Sequence, residues 1–288
     1  MHERKIMSGD ATTSLIEAGV GGRPLMLVHG FTGAKEDFGW LHGGEQFAFL
    51  DRFAELGWHA VAPDLYGHGS STHFDSEEGY SLEAYVAQIE AIADSLGWTE
   101  FVLLGHSMGG MIVQEFVLTR PGRVAALILM NTSHSNVTHV DPVLVPTIKQ
   151  VATEHGTAGI LAFQQAITVR PVGADYAHSL ALEAIDGYAT FASSKLLASS
   201  GVMFSAMAEI LAMKQRQRLE LLANLSMPTM VMVGDLDDNF LAASAQMASV
   251  ISGVTYSVIN GGGHCPQFEA PSAWWDAMTG FLSGLAPK

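Results

Sequence analysis

The chain is expected to fold as a mostly parallel, doubly wound α/β sheet flanked by helices, with a helical insertion after the sixth strand. Three observations predict this. Short all-apolar runs alternate with stretches of helical spacing from Pro24 to Met130, the rhythm of strand-helix-strand units. The rhythm stops after Asn131 and strand character returns only at Met227, leaving room for an inserted helical segment. Glycine-rich turns follow several of the apolar runs, at the edge where such a sheet gathers its functional loops.

Taken in order, Ser14 to Ala18 is a short apolar stretch read as an edge strand. Pro24 to Val28 is a compact buried strand running into His29-Gly30-Phe31-Thr32-Gly33, a turn whose glycines leave the backbone accessible and in which His29 reads as a brace. Glu45 to Leu56 places Phe49, Leu50, Phe53 and Leu56 at helical spacing and stops at Gly57; Trp58 to Pro63 is the next strand. In the turn from Asp64 to Ser70, Asp64 is expected to bond local backbone N–H groups, and both it and His68 read as structural. Ser81 has the character of an N-cap, with Tyr85, Ile89, Ile92 and Leu96 on one face and Gly97 as the stop. Strands from Phe101 and from Ala125 to Met130 flank a helix that ends near Pro121.

The insertion carries helical patterns at Leu144, Ile148 and Val151, at Ile160, Phe163 and Ile167, and at Leu180, Ala184, Tyr188 and Phe191. Residues 134–222 are therefore expected to form a cap, with 1–133 and 223–288 as the core. A methionine-rich stripe from Met203 to Met213 reads first as core packing. Its deformable side chains also make Met203 and Met207 candidate walls of a pocket for apolar substrates. Met227 to Val233 and Val254 to Ile259 are the last two strands, and Ser272 to Leu285 is the closing helix.

The stretch that carries chemistry is Gly105-His106-Ser107-Met108-Gly109, placed between a strand and a helix. A side chain held on so sharp a turn needs small residues two before and two after it, and Gly105 and Gly109 supply them. Ser107 then stands at the start of a helix, where unpaired N–H groups favour developing negative charge, and the N–H of Met108 can face an oxyanion. The N–H of Phe31 is the candidate second donor. A serine hydroxyl is barely ionised at neutral pH, so it needs a base; His264, delivered by the flexible Asn260-Gly261-Gly262-Gly263 loop, is the candidate. The imidazole needs a carboxylate on its other nitrogen. Asp237, after the strand that ends at Val233, is the first choice, with Asp235 and Asp238 as rivals. His106 reads as packing beside the serine, with a place in the substrate pocket as its functional alternative.

The order Ser107, Asp237, His264, each just beyond a strand, resembles the α/β-hydrolase superfamily, and in particular its capped serine hydrolases of the esterase and C–C hydrolase type. His29 to Gly33 resembles that family's oxyanion turn, Asp64 to Ser70 its Gly-x-Gly-x-Ser turn, and Gly263 to Pro271 its histidine loop. Gly234 and Asp237 match the usual spacing of the acid. The resemblance implies a cofactor-independent serine hydrolase acting on a small or medium carboxylic ester through an acyl-enzyme on Ser107. It also leaves open hydrolysis of C–C bonds in ring-cleavage dienones, enol-lactone opening, and a ligand receptor that keeps the triad. Epoxide and haloalkane hydrolysis are disfavoured, because those relatives carry an aspartate where this chain has Ser107. The stretch Gly39-Trp40-Leu41-His42-Gly43-Gly44 is longer than is usual there, which makes Trp40 a candidate for the pocket mouth.

Bulk properties narrow the classes further. The 288 residues are 48% hydrophobic, enough for a sizeable core. With 14 basic and 29 acidic residues the formal charge is −15, which on average repels nucleic acid and anionic membrane. A small apolar ester or ketone is the expected partner, to a monomer or homodimer. No signal-like or membrane-spanning apolar run appears, and Cys265 is the single cysteine, so a cytoplasmic location is expected. The 12 histidines include no His-Glu-x-x-His pattern, and neither a metal nor another cofactor is expected.

Overall fold

The computed structural model describes residues 1–138, 140–167 and 180–285. Its centre is a single eight-stranded sheet: β1 (His2–Ser8), β2 (Ala11–Ala18), β3 (Arg23–Val28), β4 (Trp58–Pro63), β5 (Phe101–His106), β6 (Val124–Met130), β7 (Thr229–Gly234) and β8 (Thr255–Ile259). The strand order is β1-β2-β4-β3-β5-β6-β7-β8. The first two pairings are antiparallel and the rest parallel.

The central strands are apolar throughout because both of their faces are covered. Along β3, Met26 and Val28 join one hydrophobic cluster while Leu25 and Leu27 join the other. The same alternation divides β5 and β6, since successive side chains of a strand point to opposite faces. Helices α1 (Phe49–Glu55), α2 (Leu82–Ser95) and α3 (Met108–Thr119) supply much of the covering. Ser81 caps α2 by accepting from the Ala84 N–H at 3.1 Å, and Gly97 ends it with φ 71°.

The N-terminus departs from the expected single edge strand. Ser14 to Ala18 belongs to β2, which is paired on both sides, and the true edge is β1. That strand is mostly exposed and rich in charge, so it lacks the apolar alternation that marks a strand in sequence; charge on an edge also discourages pairing with other chains. The helix expected from Glu45 begins at Phe49, preceded by one 3₁₀ turn over Glu45–Phe47.

Between β6 and β7 lies the helical insertion: α4 (Val145–Ile167), α5 (Tyr188–Leu197), α6 (Gly201–Met213) and the short α7 (Leu219–Leu222). Gly156, at φ 61° and ψ −160°, breaks α4 into two arms. Residues 168–179 of the expected cap lie outside the described residues. After β7 the chain forms α8 (Asp238–Val250), α9 (Pro266–Glu269) and α10 (Pro271–Ser283). Sequence periodicity passed over α8, whose buried face is only Phe240, Ser244 and Met247 among many small residues. No single helix among the described residues is long and apolar enough to cross a membrane.

Candidate active site

Ser107 is one of two non-glycine residues with positive φ among the described residues, at φ 54° and ψ −117°, on the one-residue turn between β5 and α3. Its N–H donates to the Met130 carbonyl at 3.0 Å, tying the tip to β6. The flanking glycines are required by close approach. A methyl group on Gly105 would lie 2.5 Å from the Gly109 carbonyl oxygen, and one on Gly109 would lie 2.5 Å from the carbonyl oxygens of Val28 and His29. Gly109→Ala is therefore expected to lower stability by about 1–3 kcal/mol, the usual scale of overpacking. Chemical denaturation measures this, and an unchanged midpoint would contradict so tight an elbow.

The structure brings Ser107, His264 and Asp237 into one hydrogen-bonded chain. Ser107 Oγ is 3.0 Å from His264 Nε2, and His264 Nδ1 is 2.9 Å from Asp237 Oδ2. Asp235 instead accepts from the Gly261 N–H at 2.7 Å, and Asp238 opens α8. Asp237 is 4% exposed. Burial by itself raises its pKa, but the hydrogen bond and charge of His264, with a hydrogen bond from Asn131, outweigh that and hold the carboxyl below its ordinary value.

Asn131 escaped the sequence reading. Its Nδ2 donates to Asp237 Oδ2 at 2.6 Å and to the Gly263 carbonyl at 3.0 Å, so it fixes both the acid and the histidine loop. It is the second non-glycine residue with positive φ, at 46°, just past the end of β6. An asparagine directly after a buried strand was the available signal.

Two further histidines build the turn opposite the elbow. Gly30 Cα faces the serine so closely that a methyl group there would lie 3.1 Å from Ser107 Cβ. His29 Nδ1–H donates to the Gly30 carbonyl at 2.8 Å while its Nε2 accepts from the Leu65 N–H at 3.0 Å, the tautomer these partners demand. His68 Nε2 lies 2.8 Å from the Phe31 carbonyl. Burial pushes the pKa of both rings down, so both are neutral braces. Met108 is the first residue of α3, where helix geometry leaves an N–H without an intrahelical acceptor, and it lines the same cavity as Phe31. Asp64 reaches beyond its own turn: it accepts from the Ser70 N–H and from both the backbone and the ammonium of Lys35.

His106 lies in the cavity wall with its Nε2–H donating to the His264 carbonyl at 2.7 Å. Burial, and then the neighbouring His264, push its pKa down to about 3, so it holds the histidine loop as a neutral ring. Phe240 stacks on the His264 ring at 4.9 Å between centroids.

These groups open into a cavity of about 440 Å³. Met111, Ile148, Ile160, Phe163, Phe204 and Leu211 give much of it an apolar wall. The methionine candidates do not line it. Met203 and Met207 are fully buried beside it, Met203 against Gly67, because α6 turns its Phe204, Ala208 and Leu211 stripe to the cavity. Trp40 is also absent from the wall; it stacks on Phe191 at 4.4 Å and on Phe47 at 5.5 Å, fastening α5 to the core. Cys265 borders the cavity, but burial pushes its thiol pKa up and keeps it protonated. Among the described residues no three or more His, Cys, Asp or Glu side chains gather as a metal site would require.

Comparison with known proteins agrees with this architecture. Over 123 residues the chain is 37% identical to Epoxide hydrolase 4 of Mus musculus, covering 42% of this chain and 32% of that protein. Over 134 residues it is 31% identical to the Serine hydrolase-like protein of Homo sapiens, covering 46% and 62%. The matched stretch thus spans from about a third to under two thirds of these relatives' lengths. A carboxylesterase structure from the thaumarchaeon Nitrososphaera gargenis superposes with a TM-score of 0.80 at 21% identity, over 97% of this chain and 98% of the other, a likeness of fold. The model of the alpha/beta hydrolase fold family matches residues 23–271, through both glycine-rich turns, the serine elbow and the histidine loop, and the chain belongs to that family.

Proposed function

We propose that this chain is a cofactor-independent serine hydrolase that cleaves small or medium carboxylic esters through an acyl-enzyme. The observation that carries the reading is the unbroken hydrogen-bonded chain from Ser107 through His264 to Asp237, opening into a largely apolar cavity. In this reading His264 Nε2 takes the hydroxyl proton as Ser107 Oγ attacks the ester carbonyl, and the ionised Asp237 balances the imidazolium that forms. The N–H groups of Phe31 and Met108 hold the oxyanion. His264 then returns the proton to the leaving alcohol, and a water activated by the same ring hydrolyses the acyl-enzyme.

The elbow offers a hydroxyl, so the epoxide-opening activity that the name of the mouse relative implies is not carried over. A fluorophosphonate probe tests the proposal directly. Mass spectrometry should place one adduct on Ser107 and a short-chain aryl ester should turn over repeatedly; no adduct there, or a single acylation without turnover, would sink it.

A further inference from the structure

The wall of the Ser107 cavity contains one cation apart from histidine among the described residues, the ammonium of Lys195 on α5. Its side chain is 10% exposed. Its partners among the described residues are the carboxylate of Asp37 and the faces of Phe191 and Phe268, whose centroids lie 4.4 and 5.8 Å from Nζ. An ammonium has three N–H donors, and a single carboxylate oxygen engages one. Desolvating such a pair costs about as much as the pair returns, so an apolar contact would hold the cap to the core at least as well. Fastening the cap does not account for a charge at this place.

The location does. Asp37 lies in the 3₁₀ turn Lys35–Phe38 that follows the His29 to Gly33 turn, and a methyl group on Gly33 would fall 2.4 Å from its Oδ2. Lys195 is thereby held beside the turn that carries the Phe31 N–H. Its charge reaches His106 and Cys265, the sequence neighbours of Ser107 and His264. In the hydrolase reading the leaving oxygen faces His264 Nε2 to receive its proton, and the acyl part takes up the rest of the cavity, whose wall includes Asp37 and Lys195.

We propose that Lys195 is a substrate-binding residue of this site, which donates to a second, neutral carbonyl oxygen on the acyl part of the substrate. The preferred substrates are then esters or lactones of keto acids, with the ketone a few bonds from the reacting carbonyl. Neutrality follows from Asp37: the pair carries no net charge, so a ketone uses a spare N–H without disturbing it, whereas a carboxylate would add a second negative charge beside a buried pair. The assignment rests on the hydrolase reading above and narrows its substrate class.

The test compares p-nitrophenyl 4-oxopentanoate and 5-oxohexanoate with the pentanoate and hexanoate esters, and adds the p-nitrophenyl hemisuccinate. Wild-type kcat/KM should favour at least one keto ester over its alkyl partner by about 10- to 100-fold, the scale of a hydrogen bond from a charged donor. Lys195→Met should bring that ratio close to one, and Lys195→Arg should keep most of it. Because the readout is a ratio, loss of stability in a variant does not mimic the result. Equal turnover of keto and alkyl esters by the wild type would overturn the proposal, as would a Lys195→Met variant that slows both alike, or a preference for the hemisuccinate over both keto esters. Turnover of the alkyl esters that does not depend on Ser107 would instead refute the hydrolase reading, so the two failures are distinguishable.

Discussion

Ser107→Ala is expected to lower kcat on a short-chain aryl ester by about 10⁴- to 10⁶-fold, the range seen when the nucleophile of a serine-histidine-carboxylate system is removed. The proposed oxyanion donors and the cavity survive the change, so KM should move little and a residual rate above the uncatalysed one should persist. Alanine accepts the turn about as well as serine, since both carry a Cβ at φ 54°. Thermal denaturation should therefore show a folded protein. The measurement is steady-state kinetics with burst-phase control; a loss below tenfold would mean that acyl transfer does not pass through this hydroxyl.

Asp237→Asn is expected to cost about 10⁴-fold in kcat with the fold retained. Asn131 Nδ2 and His264 Nδ1 meet the same carboxylate oxygen, Oδ2, so an amide whose oxygen takes that place can keep both hydrogen bonds but not the negative charge. Without that charge, the imidazolium that forms as Ser107 gives up its proton is no longer balanced. The same substitution makes a stability prediction. Asp237 has a folded-state pKa below its ordinary value, so it contributes stability that is fully present above the ordinary carboxylate range. That contribution is lost as pH falls through the folded-state pKa, because the unfolded chain takes up the proton first. The gap in melting temperature between wild type and Asp237→Asn should narrow on acidification from neutral pH; a gap that widens would refute the assigned ionisation.

Much of the architecture was legible because buried parallel strands leave an all-apolar trace and their turns leave glycines. Pro24 to Val28 and Trp58 to Pro63 show this, and so does the Gly105 to Gly109 elbow, whose glycines prove to be places where a methyl group has no room. What escaped had no such trace. β1 is a charged edge, and α8 hides a narrow buried face among small residues. The methionine stripe showed that α6 is buried, but a helix buried on several sides does not announce which stripe meets the cavity; only packing against Gly67 sends Met203 away from it.

The amino-acid order by itself determined the sheet apart from its β1 edge, the presence of a helical insertion and the three side chains placed beyond strand ends, because strand period, glycine spacing and residue chemistry are local properties. What the tertiary structure decided was the exclusion of Asp235 and Asp238 beside Asp237, the bracing by Asn131, the partners that His29 and His68 hold, and the pairing of Lys195 with Asp37. Each of these joins residues far apart in the chain, or depends on which way a side chain leaves a turn, and no local pattern encodes either.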